Sequence, residues 1–170
     1  MKPNIDQIRG VGDFATTVHW DLAFDKFPEI GSYPDTQDVN LRCASSNVPT
    51  SSVEPVTAAI RGHQVHQPGL VKYSTLDLHF IETVDNVICN FLSQWREACY
   101  QTGTGAQGEK SQVEATIRLT RLNRQDEGIW AYVLTGCILT DVKFNELASE
   151  NGLFMPDLSI TYDYFKDSQP

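Results

Sequence analysis

The chain is short of three things that commonly betray a function: cysteine, basic charge and long apolar runs. Its four cysteines are Cys43, Cys89, Cys99 and Cys137, and no two form a C-x-x-C pair. That spacing excludes the usual zinc-ribbon and dithiol motifs and leaves buried free thiols as the reading. Lys and Arg total 13 against 22 Asp and Glu, a formal charge of −9. A protein this acidic does not grip phosphate by bulk attraction. No apolar stretch approaches the ~18 residues of a membrane helix. The opening MKPNIDQIRGVGDFATT lacks the apolar centre of a signal peptide, so the expected site of synthesis and residence is a cytosol. Nucleophile-elbow, H-E-x-x-H and Walker patterns are all missing.

What is present is alternation. The 170 residues, 41% hydrophobic, suit a single domain with a real core. Residues 1–14 are polar and glycine-punctuated, and read as an arm. Val18, Trp20, Leu22 and Phe24 alternate with Thr17, His19, Asp21 and Asp25, which predicts a half-buried strand. Val39, Leu41 and Cys43 predict a second strand. The 46–70 segment, broken by Pro49, Pro55 and Pro68, reads as loop with one short strand at 56–60. Leu76, Leu78 and Phe80 face away from Asp77 and His79 in the next strand. Residues 84–100 carry apolar side chains at helical spacing, with Thr83 as the expected N-cap. Residues 102–110 form a glycine-rich loop. Val113, Ala115, Ile117 and Leu119 open another strand, and even positions from Trp130 to Phe144 mark a very long one that Gly136 is placed to bend. Leu158, Ile160, Tyr162 and Tyr164 give the last strand, followed by a frayed polar tail. The expected fold is mainly β (α+β), a β-sandwich or barrel subunit with one flanking amphipathic helix.

Chemical motifs are weak. Gly103-Thr-Gly105-Ala-Gln-Gly108 spells a dinucleotide fingerprint, but a helix precedes it and a strand follows, the reverse of the order that phosphate binding needs. His63-x-x-His66 offers two metal ligands with nothing nearby to complete a set. His19 beside Asp21 and His79 beside Asp77 could orient a general base, yet no nucleophile accompanies either. No catalytic, cofactor or metal site is expected. The acids Asp21, Asp25, Asp77, Glu114 and Asp163 oppose apolar strand faces, which is either ordinary solubility or an acidic wall.

Four colinear stretches carry a resemblance: HWDLAF with NLRCASSNVP, RGHQVHQPGLVKYSTLDLHFIE, TVDNVICNFLSQWREAC, and GCILTDVKFNELASENGLFMPDLSITYDYF. Together they resemble the tail tube proteins of contractile-tailed bacteriophages, which are related to the Hcp tube of type VI secretion. The resemblance implies one tail-tube domain over 1–170, six subunits closing one continuous β-barrel ring, and stacking of rings into a hollow tube. It implies a virion protein made in the bacterial cytoplasm, through whose bore genome DNA is ejected. The implied partners are further copies, the tail sheath, the baseplate and tail-terminator proteins, and the tape measure protein and double-stranded DNA in the lumen. Asp77, Glu114 and Asp163 are the lumen candidates. Ile5, Ile8, Phe14, Val53, Val56, His63 and His66 are the ring-to-ring candidates, on the arm and the 46–70 segment. Two other readings stand beside this one: the tube of a secretion or bacteriocin-like injection machine, and a small cytosolic β-barrel binding module.

Overall fold

A computed structural model describes Ile5 and residues 16–144 and 152–170. Nine strands and three helices follow one another within these residues. They are β1 (Trp20–Lys26), α1 (Thr36–Arg42), β2 (Cys43–Ser46), β3 (Ser51–Ile60), β4 (His63–Tyr73), β5 (Leu76–Phe80), α2 (Val87–Cys99), α3 (Lys110–Val113), β6 (Ala115–Leu122), β7 (Gly128–Lys143), β8 (Asp157–Thr161) and β9 (Tyr164–Ser168). Seven strands form one antiparallel sheet in the order β1-β6-β7-β8-β5-β2, with β9 also pairing β7; β3 and β4 form a separate hairpin. The mainly β architecture with one long amphipathic helix is therefore as expected.

The sheet is organised by β7. Its first half pairs β6 on one side and β9 on the other; its second half pairs β8. Between the halves, Ala115 and Ile117 oppose Cys137 and Leu134, so β7 holds one extra residue. That bulge contains Gly136 at φ 71°, and a Cβ there would collide with the Asp163 carboxylate. The extra residue shifts the facing pattern, since a slip of one residue in a strand reverses its sides. Leu134 faces the core, then Cys137 and Leu139 do, and after a second irregularity near Asp141 Val142 does. The uniform even-numbered face expected over 129–144 is thus broken twice, and Ile138 leaves it.

One apolar face of the sheet packs on α2. Ile88, Phe91, Leu92 and Trp95 of the helix are fully buried against Leu22, Phe24, Leu76, Leu78, Phe80, Ile117, Leu134, Leu158 and Ile160. Each such side chain contributes roughly 1.5–3 kcal/mol by leaving water. Phe24 meets Phe91 and Trp95 edge-on, at 5.9 and 6.3 Å between ring centres. The Trp95 Nε1–H donates to the Val113 carbonyl at 2.8 Å, which ties α2 to the short α3.

Residues 36–42 are helical, correcting the strand expected through Val39, Leu41 and Cys43. Val39 is fully buried while Leu41 is largely exposed, a split that two-residue alternation would not give. The helix seals the margin of β1. Leu22 N–H donates to Asn40 Oδ1 at 2.8 Å, and the Thr36 hydroxyl donates to the Phe24 carbonyl at 3.2 Å. Since α1 leads directly into β2, the other outer strand, it bridges the two ends of the sheet. The β1 edge is therefore occupied from within the subunit.

Other boundaries move. The long helix begins at Val87, not 84; Val84 is 99% exposed. Thr83 does not cap it, because Asn86 holds the N-cap position in the left-handed region, with φ 53°. Residues 110–113 are helical, so the strand starts at Ala115. The tail past Phe165 is not frayed: β9 pairs Ala131–Thr135 out to Ser168.

Candidate assembly surfaces

The largest departure from the expected loop lies in residues 46–70. Ser51–Ile60 and His63–Tyr73 form a continuous antiparallel hairpin, turned by Arg61 and Gly62 at positive φ. Ten residues of β3 and ten of the eleven in β4 are exposed, with Gly69 half-buried. Val53, Val56, Ile60, Val65, Leu70 and Val71 are between 46% and 74% exposed. An isolated two-stranded hairpin is marginally stable in water, and exposed apolar side chains grouped in this way are characteristic of interaction surfaces. Its root touches the body: Tyr73 packs at 5.8 Å on each of Tyr162 and Phe165.

Val53, Val56, His63 and His66, four of the ring-contact candidates, all lie on this hairpin. His63 and His66 sit in a strand, not a loop, and a separation of three puts them on opposite faces. They cannot share a metal ion, and His66 instead shares a 3.0 Å hydrogen bond with Thr57 opposite. Among the described residues no group of three metal-ligating side chains converges. Ile5 is exposed. Ile8 and Phe14 lie outside the described residues.

The second surface is the polar face of the sheet, opposite α2. All three lumen candidates belong to it or to its margin, but their surroundings differ. Glu114 pairs with Lys26 at 3.2 Å, and Asp163 pairs with Lys110 beside the Gly136 bulge. The Asp163 hydrogen bond raises the pKa of Lys110, which keeps that partner charged. Asp77 has no base. It accepts from Ser159 at 2.6 Å and from Asn47 at 3.4 Å. The pairing continues across the face, with Arg118 on Asp25 and Lys143 on Asp141 at 3.5 Å. This face is charge-compensated far more than a uniformly acidic wall would be. Apart from Lys143 and Asp141, two residues apart on β7, the partners were not legible in the sequence, because those pairs join different strands or loops.

The histidine–acid pairs also rearrange. His79 Nδ1–H donates to Asp157 at 2.5 Å and His19 lies 4.0 Å from Asp126, so neither uses the neighbour expected. Burial pushes the thiols of Cys43, Cys89 and Cys137 up to about 12, which keeps them protonated at neutral pH. The glycine-rich 103–108 loop leads to an α3 of four residues, too short to present a helix terminus to phosphate.

A cleft of about 260 Å³ runs between the ends of the outer strands, bordered by Trp20, Val48, Leu119 and Tyr132. It is open and mostly apolar, with His19 and Arg121 also in its lining. No helix among the described residues is long and apolar enough to cross a membrane.

No protein-family model matches the chain, and no curated protein does either. Solved structures do. A chain of the sheath/tube terminator of the PVC extracellular contractile injection system, in its extended state, superimposes with a TM-score of 0.71 at 11% identity, covering 93% of this chain and 99% of that one. A chain of the PVC sheath-tube complex gives 0.69 at 12% identity, covering 99% and 100%. Hcp1 from Salmonella typhimurium gives 0.50 at 14%, covering 89% and 87%. The chain thus has the Hcp-like tube fold, shared along nearly its whole length with chains of contractile injection assemblies.

Proposed function

We propose that the protein is a tube subunit of a contractile injection apparatus. Copies form rings, rings stack, and the polar sheet face lines the bore while α2 lies on the outer side toward a sheath. The observation that carries this reading is the hairpin: a long ribbon with apolar side chains on view, projecting from a body whose own core is complete. Head-to-tail contact of one surface with a different surface on the next copy can repeat without limit. The occupied margin of β1 directs sheet-to-sheet pairing between copies to β9 and the hairpin, which have free edges among the described residues. In this reading Ile5, Ile8 and Phe14 join Val53, Val56, His63 and His66 in contacts between rings. Baseplate and terminator proteins cap the ends.

Two passengers fit such a tube. A phage tail tube passes genome DNA, guided by a tape measure protein, and unpaired acids such as Asp77 would keep phosphate from lodging on the wall. An injection machine passes protein. The pairing of Glu114, Asp163, Asp25 and Asp141 with bases favours this second reading, because a compensated wall repels DNA weakly and holds neither charge sign.

Negative-stain electron microscopy of the purified protein tests assembly. Rings or tubes of uniform bore are the expected result. A monomer that stays dispersed as concentration rises, and gains stability from a small ligand in the Trp20–Tyr132 cleft, would instead support the small binding module.

A further inference from the structure

The packed face of the sheet runs one row beyond its buried core. Leu22, Leu119 and Tyr132 are registered side by side on β1, β6 and β7, and the next row outward holds Trp20, Arg121 and Trp130. Alternation along β6 puts Arg121 on the side of Ile117 and Leu119, so a base stands between two indoles in an otherwise apolar row. Arg118, on the opposite side, is paired with Asp25, whereas Arg121 has no acid partner among the described residues. Trp20, Leu119, Arg121 and Tyr132 line the cleft of about 260 Å³ together with Asn47 and Val48. Among the described residues, neither α2 nor any acid contributes to that lining. Thr16 and Thr17 do, so the N-terminal arm leaves the body from within the cleft.

We propose that in the unassembled subunit this cleft is filled by the chain's own Phe14, with the Asp13 carboxylate on the Arg121 guanidinium, and that this seat competes with the ring contact given to Phe14 above. The competition rests on the tube reading; the seat does not. Size, reach and charge select the occupant. The space falls short of the ~300–1,000 Å³ of ordinary small-molecule sites and suits one aromatic side chain. Phe14 stands two residues before Thr16, at most ~7 Å of extended chain, so it reaches the cleft without leaving its own body. A segment on so short a tether has an effective concentration on the order of millimolar, which a second copy cannot match in dilute protein. Asp13 adjoins Phe14 in sequence, so one short segment offers both the ring that the Trp20–Tyr132 wall takes and the acid that Arg121 lacks. Ile5, nine residues further out, is exposed, which fits a seat confined to the base of the arm. Head-to-tail stacking has no built-in limit. An arm held on its own subunit removes one of the contacts that stacking needs until a neighbouring ring competes for it.

The seat is tested by a photoreactive phenylalanine in place of Phe14 in the full-length chain, which keeps an aromatic ring at that position. Irradiation of dilute monomer should give a product of monomer mass, with the crosslink mapping to the peptides that hold Asn47–Val48, Leu119–Arg121 or Tyr132. Products of dimer mass, or crosslinks elsewhere in the chain, overturn the seat. The competition is tested by charge exchange. Arg121→Glu should lower the protein concentration at which tubes appear by about two- to fivefold, the scale of an exposed ion pair. Adding Asp13→Arg to that variant should restore the parent threshold. A threshold that stays or rises in Arg121→Glu, or one that Asp13→Arg does not restore, overturns the competition and leaves the tube reading standing. Protein that forms no ring or tube under any condition overturns the tube reading and the competition together, and the monomer crosslink then decides the seat by itself.

Discussion

At the scale of single residues, the structure replaces expected devices with others. The long helix lacks a capping side chain at Asn86. Glu82, four residues earlier, does that work from outside the helix. Its carboxylate accepts from Cys89 N–H at 2.5 Å and Ile88 N–H at 3.4 Å, two of the first-turn donors that a helix leaves unpaired. The side chain is 3% exposed and lies 3.7 Å from Arg42, which Asp38 and Asp85 also hold. Burial pushes the Glu82 pKa up, but hydrogen bonds from Cys89, Thr83 and Ile88 outweigh it and hold the group below the usual carboxylate range. A depressed folded pKa gives stability that is present above the unfolded value and lost as pH falls through the folded one. Glu82→Gln should therefore cost about 1 kcal/mol at neutral pH, the scale of a lost cap. The gap to the parent protein should close on acidification, as the parent's own carboxylate protonates. Urea midpoints measured across that range check this; a gap that stays constant with pH would mean the charge is not what caps the helix.

At the scale of elements, α2 is held by its buried face and, at the α2–α3 junction, by the bond from Trp95 to the Val113 carbonyl. Trp95→Phe keeps most of the apolar surface and deletes the donor. The orphaned carbonyl should cost about 1–3 kcal/mol, read as a lower unfolding midpoint in urea with an unchanged slope. If stability is unmoved, the α2–α3 junction is held by packing alone. The same helix shows what was legible beforehand: its three- and four-residue spacing is local, so its core face could be read from residues 88–95. Trp20 to Phe24, Leu76 to Phe80 and Ala115 to Leu119 were legible for the same reason. The hairpin was not, because both its faces meet solvent in the isolated subunit and it therefore lacks one consistent alternating side; its prolines read as loop. Nor was α1, whose seven residues bury only Val39. The β7 phase was lost at a bulge whose size depends on β6, a partner that spacing within β7 cannot reveal. In the candidate sites, Asp77, Glu114 and Asp163 were chosen by alternation, while their partners Lys26, Lys110 and Ser159 were missed because they reach those acids across strands and loops.

At the scale of the whole molecule, the sheet has two faces with different fates. One is filled by α2; the other is polar, charge-paired and uncovered in the subunit. A sheet with one packed and one wet face needs water on the second, and a bore supplies that water while hiding the face from bulk solution. In the proposed tube, access to that face is thus a matter of size: small solutes reach it and large ones do not. Thr161 is exposed on the polar face, and Asn90 is exposed on α2. Cysteines placed at these two positions report the difference, against native thiols that burial keeps protonated. In the unassembled subunit, Thr161→Cys and Asn90→Cys should react alike with a small maleimide and with one carried on a bulky polymer. In tubes the small reagent should still label both, while the polymer labels only the Asn90→Cys variant. Equal polymer labelling of both in intact tubes would mean that the polar face lines no closed bore. Polymer labelling of Thr161→Cys alone would put α2 within the wall and leave the paired charges of β5, β7 and β8 to meet the sheath.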